Sequence, residues 1–274
     1  MTRAPSRYDH RTARGSESIE AATIIESDQK SVLQQIRMPH VQAVIYQPQE
    51  PPLWMKDVAG SVETESLHIE RVVLPCATPD EIADWLERRL PKVGALQQIC
   101  TVIEGEIIAL VEIEQILTNA SHFMMRIFTE APTCRCGFHV DTVPPRAPTI
   151  GLLRVFNGHR TEYVHPENVT SMRDFYRHLS QRERQVKAMK EAQARGDQVQ
   201  YDELRAHIAS LDKDPGFLRS PEDVRVVPEG AIVAFKHVDA RWHWSDHPKA
   251  LAWIHRSPME GAPRLVVNIT ARES

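Results

Sequence analysis

Hydrophobic residues along this chain fall into two rhythms, one repeating every second position and one following the helical turn. "VQAVIYQP" (41–48) is a short apolar run closed by proline, which predicts a strand entering the Pro-rich turn "PQEPPLW". "TPDEIADWLERRLP" (78–91) changes to helical spacing, with Ile82, Trp85, Leu86 and Leu90 on one face. Thr78 can cap that helix, Pro79 takes its first position, and acids and arginines fill its first and last turns. "EIIALVEIEQIL" (106–117) suits either rhythm and is read as helix, whereas "HFMMRIFTE" (122–130) alternates like a strand. "APTIGLLRVFN" and "TEYVHP" predict two further strands parted by the turn "NGHR".

Residues 171–212 are rich in charge and in helix formers and break once, at Gly196-Asp197, which predicts a helical hairpin inserted between strands. The strand rhythm then resumes in "VRVVPEGAIVAFKHV", "ALAWIHRSP" and "RLVVNIT", with "PEG" bending the first of these back on itself. Residues 1–20 are polar and aperiodic and are read as a disordered tail.

Composition narrows the function classes. Hydrophobic residues make up 42% of the 274 and charged ones 26%, as in an ordinary globular chain. A net charge of −4 argues against nucleic acid as a partner. No run of eighteen or so apolar residues suggests a membrane span, and the basic N-terminus lacks the apolar core of a secretory signal. Four cysteines are too few for a disulfide framework, so a reducing cytoplasm is expected.

Metal chemistry enters with "CRCGFHVD" (134–141). One reading gives the ion to sulfur: Cys134 and Cys136 with His139 and a fourth group would hold Zn(II), although the Cys-x-Cys spacing is tighter than the usual Cys-x2-Cys and Cys76 and Cys100 lie far upstream. The other uses His139 and Asp141, which project from one face of an extended segment. His255 in "WIHRSP" offers a third donor from another strand, and Arg264 opens the run after it. Two histidines and a carboxylate are the donor set of a facial triad on Fe(II), and an arginine fork nearby suits a dicarboxylate. Such sites sit in double-stranded β-helix (jelly-roll) folds.

"FHVD", "GLLRVFNGHRTEYV", "PEGAIVAFK" and "HRSP" followed by "RLVVNI" resemble a bacterial family catalogued as domain of unknown function 1826, over roughly residues 35–272. More distantly the same residues are similar to Fe(II)/2-oxoglutarate-dependent dioxygenases. The resemblance implies an α+β chain with a jelly-roll core, and an oxidation of a C–H bond. Residues 21–274 would form one domain: a helical and strand flank at 21–120, core at 121–170 and 222–272, and the insert at 171–212. His139, Asp141 and His255 would be metal ligands and Arg264 the cosubstrate's carboxylate partner. Arg256 competes with Arg264 for that role, and Arg154, Thr161 and Tyr163 are further candidates toward 2-oxoglutarate. Arg146 and the loop tryptophans Trp242 and Trp244 are candidates toward a small-molecule or amino-acid-like substrate; His243 and His247 are poorer candidates as ligands. The alternatives are a zinc-binding protein of metal homeostasis and a metal-free jelly roll used for protein interaction. Neither substrate nor oligomeric state is legible.

Overall fold

The computed structural model describes residues 21–94, 96–132 and 137–273. The proposed tail and the Cys134/Cys136 pair lie outside them. The chain is α+β, built around a seven-stranded sheet in the order β1-β2-β9-β6-β12-β4-β3. These strands are β1 (Thr23–Ser27), β2 (Val41–Tyr46), β3 (Val72–Ala77), β4 (His122–Glu130), β6 (Ile150–Val155), β9 (Ile232–Lys236) and β12 (Arg264–Arg272). Within this sheet β1 and β2 pair in parallel and the other neighbours are antiparallel. β7 (Glu162–Val164), β8 (Val224–Val226) and β11 (His255–Arg256) form a smaller sheet, and β5 (Thr142–Val143) pairs with β10 (Val238–Asp239). The first three strands belong to the large sheet, so much of the segment read as a flank is sheet.

Alternation on the central strands divides the core. Leu265, Val267, Ile269 and Ala271 of β12, with Phe123, Met125 and Ile127 of β4, are buried against one helical layer. That layer is α1 (Trp54–Glu63), α2 (Pro79–Arg89) and α3 (Leu96–Thr118), which contribute Val58, Ile82, Leu86, Ile103, Ile107 and Leu110. α2 starts where its sequence says: Thr78 Oγ1 accepts the Glu81 N–H at 3.3 Å and the Glu81 carboxylate accepts the Thr78 N–H at 2.8 Å. The ambiguous 106–117 segment is the C-terminal half of α3.

The opposite face of the large sheet meets the smaller one through Leu153, Val155, Val233, Phe235 and Val266 on one side and Tyr163 and Trp253 on the other. Beyond the small sheet lie α4 (Met172–Ala194) and α5 (Gln198–Lys213), with Phe175, Tyr176 and Leu179 packed on Phe138, Val164 and Ile254. Ser171 caps α4 by accepting from the Asp174 N–H, and Asp197 caps α5 by accepting from Gln200. Among the described residues no helix is long and apolar enough to cross a membrane. The consequence for function is a space between two sheets, open at one end, into which alternate residues of β4, β6, β12 and β11 project.

Candidate metal centre

His139 and His255 are distant in sequence and directly opposite in space. Each donates its backbone N–H to the other's carbonyl, at 2.9 and 3.1 Å, in an isolated antiparallel bridge. A pair locked in this way projects both side chains from the same side, and the ring centroids stand 4.5 Å apart. Asp141, two residues on, falls on the same face. One ligand atom from each of the three lies within 4.8 Å of the others. His139 Nε2 is 3.8 Å from Asp141 Oδ1, and His255 Nε2 is 4.0 Å from Oδ2. Two atoms each about 2.1 Å from one ion stand at most about 4.2 Å apart, so these separations are within the span of one coordination sphere.

The tautomers are set by the chain itself. Nδ1 of His139 is 2.9 Å from the Gly137 carbonyl, and Nδ1 of His255 is 3.1 Å from the Trp253 carbonyl. A carbonyl only accepts, so the proton sits on Nδ1 in both rings and the Nε2 lone pairs are left for an ion. Burial, and then the neighbouring His139, push His255 down to about 3, which keeps that ring neutral. Burial acts to raise the Asp141 carboxyl, but the surrounding His255, His139, His237 and Arg126 outweigh it and hold the group at about 2. Two imidazoles, each with Nε2 turned to the site, and a carboxylate make a donor set that fits a divalent first-row metal.

The triad opens into a cavity of about 220 Å³ lined also by Arg71, Arg126, Phe128, Thr161, Ser257, Arg264 and Asn268. Arg264, at the first position of β12, is buried and donates to the His159 carbonyl at 2.9 Å and to Ser257 Oγ at 2.7 Å. Larger depressions of about 510 and 460 Å³ lie elsewhere on the surface, and no metal-ligating trio converges on them among the described residues.

Residues 27–269 match the family described as "Protein of unknown function (DUF1826)". The chain belongs to that family. Among curated proteins none matches it. Solved structures similar to it include the dioxygenase for auxin oxidation of rice, at 10% identity over 92% of this chain and 83% of that one, with a TM-score of 0.42. Another is the dioxygenase for auxin oxidation 1 from Arabidopsis thaliana in complex with 2-oxoglutarate, at 9% identity over 92% and 93% of the two chains and the same TM-score of 0.42.

Of the residues singled out from this DUF1826 sequence, His139, Asp141, His255, Arg264 and Thr161 line one cavity. The others are held elsewhere. Arg154 points to the helical face, ion-paired with Glu106 of α3 and lying beside the Trp54 and Phe156 rings. Arg256, next to His255 but on the reverse side of its strand, binds Glu162 at 2.6 Å and the Asp212 carbonyl at 2.9 Å and lies over the Phe138 ring. Tyr163 donates a hydrogen bond from its hydroxyl to Glu26 Oε1 at 2.7 Å. Arg146 is exposed, its N–H bound by Asp239, and Trp242 and Trp244 are half-exposed outside the cavity, Trp244 against Tyr176.

Three functional neighbours escaped the sequence reading. His237 is buried with Nε2 3.7 Å from Asp141 Oδ2, and its Nδ1 has no hydrogen-bond partner among the described residues. Alternation from Val233 and Phe235 puts it on the inner face, a signal that was present in "AIVAFKHV". Trp253 stacks on the His255 ring at 4.3 Å and 16°. Arg126 interrupts the apolar run "HFMMRIFTE", and an arginine inside such a strand was the clue.

Proposed function

We propose that this chain is a non-haem Fe(II)- and 2-oxoglutarate-dependent oxygenase on a double-stranded β-helix, oxidising a C–H bond of a small-molecule or amino-acid-like substrate. The observation that carries it is the meeting of His139, Asp141 and His255, both imidazoles turned with Nε2 inward, in one cavity with Arg264. A large and a small sheet enclosing that cavity support the jelly-roll assignment.

In this reading His139 Nε2, His255 Nε2 and an Asp141 oxygen hold the ion and leave the rest of its sphere to ligands from solution. Ferrous iron, when bound, supplies the redox centre at which oxygen and 2-oxoglutarate are consumed, giving succinate, carbon dioxide and oxidised substrate. The chain's own part is positioning. Arg264, fixed from behind by Ser257 and the His159 carbonyl, presents a planar fork to the cosubstrate's far carboxylate. Thr161 lies in the same wall. Trp253 and Phe235 pack on the His255 ring and hold its plane. Arg256 is ion-paired with Glu162, which supports Arg264 in the carboxylate role.

The test is metal analysis and Fe(II) titration of anaerobically purified protein, followed by succinate release from 2-oxoglutarate under air without added substrate. His139→Ala abolishes both iron binding and succinate, whereas Arg264→Ala raises the 2-oxoglutarate requirement, by an amount on the order of 2–5 kcal/mol. Tight Zn(II) binding that disappears in a Cys134→Ser/Cys136→Ser variant, with no binding of Fe(II) or 2-oxoglutarate, overturns the oxygenase reading in favour of a zinc-binding protein.

A further inference from the structure

The oxygenase reading uses one of the three arginines in the cavity wall. Arg71 is satisfied: it forms a two-pronged pair with Glu130, at 3.0 and 2.6 Å, and lies over the Phe128 ring at 3.8 Å. Arg126 is not. It is half-buried and lines the cavity, yet it makes no hydrogen bond or ion pair with any described residue. Its planar donors match a carboxylate or a phosphate.

Position separates Arg126 from the cosubstrate's arginine. In the β4–β12 register Arg126 faces Asn268 and Glu130 faces Arg264. At about 3.3 Å per residue the Cα positions of the two arginines are therefore roughly 13 Å apart along the sheet, so each enters the cavity wall from its own end. Charge leads to the same place. A divalent ion, Asp141, a dianionic cosubstrate, Arg264 and Arg126 sum to one excess positive charge, with Arg71 and Glu130 cancelling. Between the two arginines Phe128, Leu153 and Val266 offer an apolar wall.

We infer that Arg126 is the anchor for the acidic group of an anionic substrate, a small molecule carrying a carboxylate or a phosphate with an apolar body. The inference rests on the oxygenase reading. Its test uses protein loaded with Co(II) and saturated with 2-oxoglutarate, titrated with carbon-13-labelled acetate or with inorganic phosphate. Paramagnetic broadening of the carbon or phosphorus resonance reports the anion near the metal. Wild type binds at least one of the two anions, and the tighter one assigns the substrate's acidic group. Arg126→Gln weakens that binding at least about tenfold, Arg126→Lys restores part of it, and the 2-oxoglutarate affinity measured at saturating Co(II) is unchanged.

The inference is overturned if wild type binds neither anion or if Arg126→Gln binds them equally well. It is also overturned if the variant needs more 2-oxoglutarate, since Arg126 would then belong to the cosubstrate. Failure of wild type to take up Co(II) or 2-oxoglutarate removes the oxygenase reading instead. Arg126 is then judged by phosphate binding to the metal-free chain, where loss in Arg126→Gln upholds an anion site and no difference rejects it.

Discussion

The helical hairpin braces the proposed metal ligands through a buried ion pair, and removing one member of that pair separates its structural from its functional share. Arg182 of α4 and Asp212 of α5 are 4% and 2% exposed at the side chain and meet in two parallel bonds, Nε to Oδ1 at 2.7 Å and Nη2 to Oδ2 at 2.9 Å. The same guanidinium lies against Gly137, where a Cβ would stand 2.1 Å from Arg182 Nε. Gly137 is the residue whose carbonyl fixes the His139 ring, and the Asp212 carbonyl in turn holds Arg256 beside His255. Asp212→Leu leaves the arginine buried without its carboxylate, a change that costs about 3–5 kcal/mol. Against a total stability of about 5–15 kcal/mol that is a large fraction, so the urea midpoint falls markedly. Because the loosened contact supports a ligand's orienting carbonyl, Co(II) affinity measured under folding conditions falls too, by roughly 10–100-fold. Arg182→Met/Asp212→Leu, which removes both charges, recovers most of the stability. A loss below about 1 kcal/mol in Asp212→Leu would show that the pair does not secure the hairpin. A full loss of stability with unchanged metal affinity would sink the link to His139.

Three other perturbations test separate parts of the structure. Gly151→Ala places a Cβ 2.2 Å from His237 Cε1 and 3.1 Å from the Ile269 carbonyl, so it destabilises by about 1–3 kcal/mol and weakens metal binding by pressing His237 towards Asp141; a stabilised variant, as expected for ordinary glycine removal from a strand, refutes this. Glu114, on the buried face of α3, accepts the Ala271 N–H at 3.1 Å with Oε1 while Oε2 has no hydrogen-bond partner among the described residues, and burial raises its carboxyl well above the usual range. A raised folded value means its contribution is complete below the unfolded value and is lost as pH rises through the folded one, so wild type loses stability between acid and neutral pH by up to about 1.4 kcal/mol for each unit of the shift. Glu114→Gln keeps the acceptor, removes that slope and is the more stable protein at pH 8; urea unfolding at pH 5 and pH 8 shows whether it does. Trp253→Leu removes the plane stacked on His255 and lowers stability by about 2–4 kcal/mol, with a shift in the Co(II) visible spectrum as the ring reorients; an unchanged spectrum means that the Nδ1 contact alone sets the ring.

What the sequence revealed depended on whether the physics was local. α2 was readable to its capping box because Thr78, Pro79 and Glu81 act within one turn. The turn at Gly158 was readable because its φ of +72° is a conformation that favours glycine. His139-x-Asp141 was visible as a pair because an extended chain repeats every second residue. Arg154 and Arg256, candidates by sequence, stand away from the cavity lining for the same reason: proximity in sequence says nothing about which face of the strand points inward. Arg154 lies between Leu153 and Val155, both on the inner core, so it faces the helices instead. A period-two count from Leu153 would have removed it, and the same count from Phe235 would have recovered His237.

The joining of His139 to His255 needed information that no local pattern contains. Two mutual backbone bonds bring the rings to one place, and α4 and α5 lie between them in the chain. Those helices need not be a passive interruption. Their buried faces cover the small sheet through Phe175, Tyr176 and Leu179, and their one deeply buried ion pair reaches the segments on both sides of the bridge. In the oxygenase reading the chain holds two ligands beside short strands, β11 being only His255–Arg256, so it gains little from its own ladder and is braced from outside. The hairpin supplies that brace from behind while Trp253 and Phe235 supply it from within the cavity side, so the two imidazoles are fixed between a charged support and an aromatic one. Geometry at this site is therefore a property of the packing of the whole small sheet. That is why its weakest point is predicted at Asp212, a residue that touches no ligand side chain.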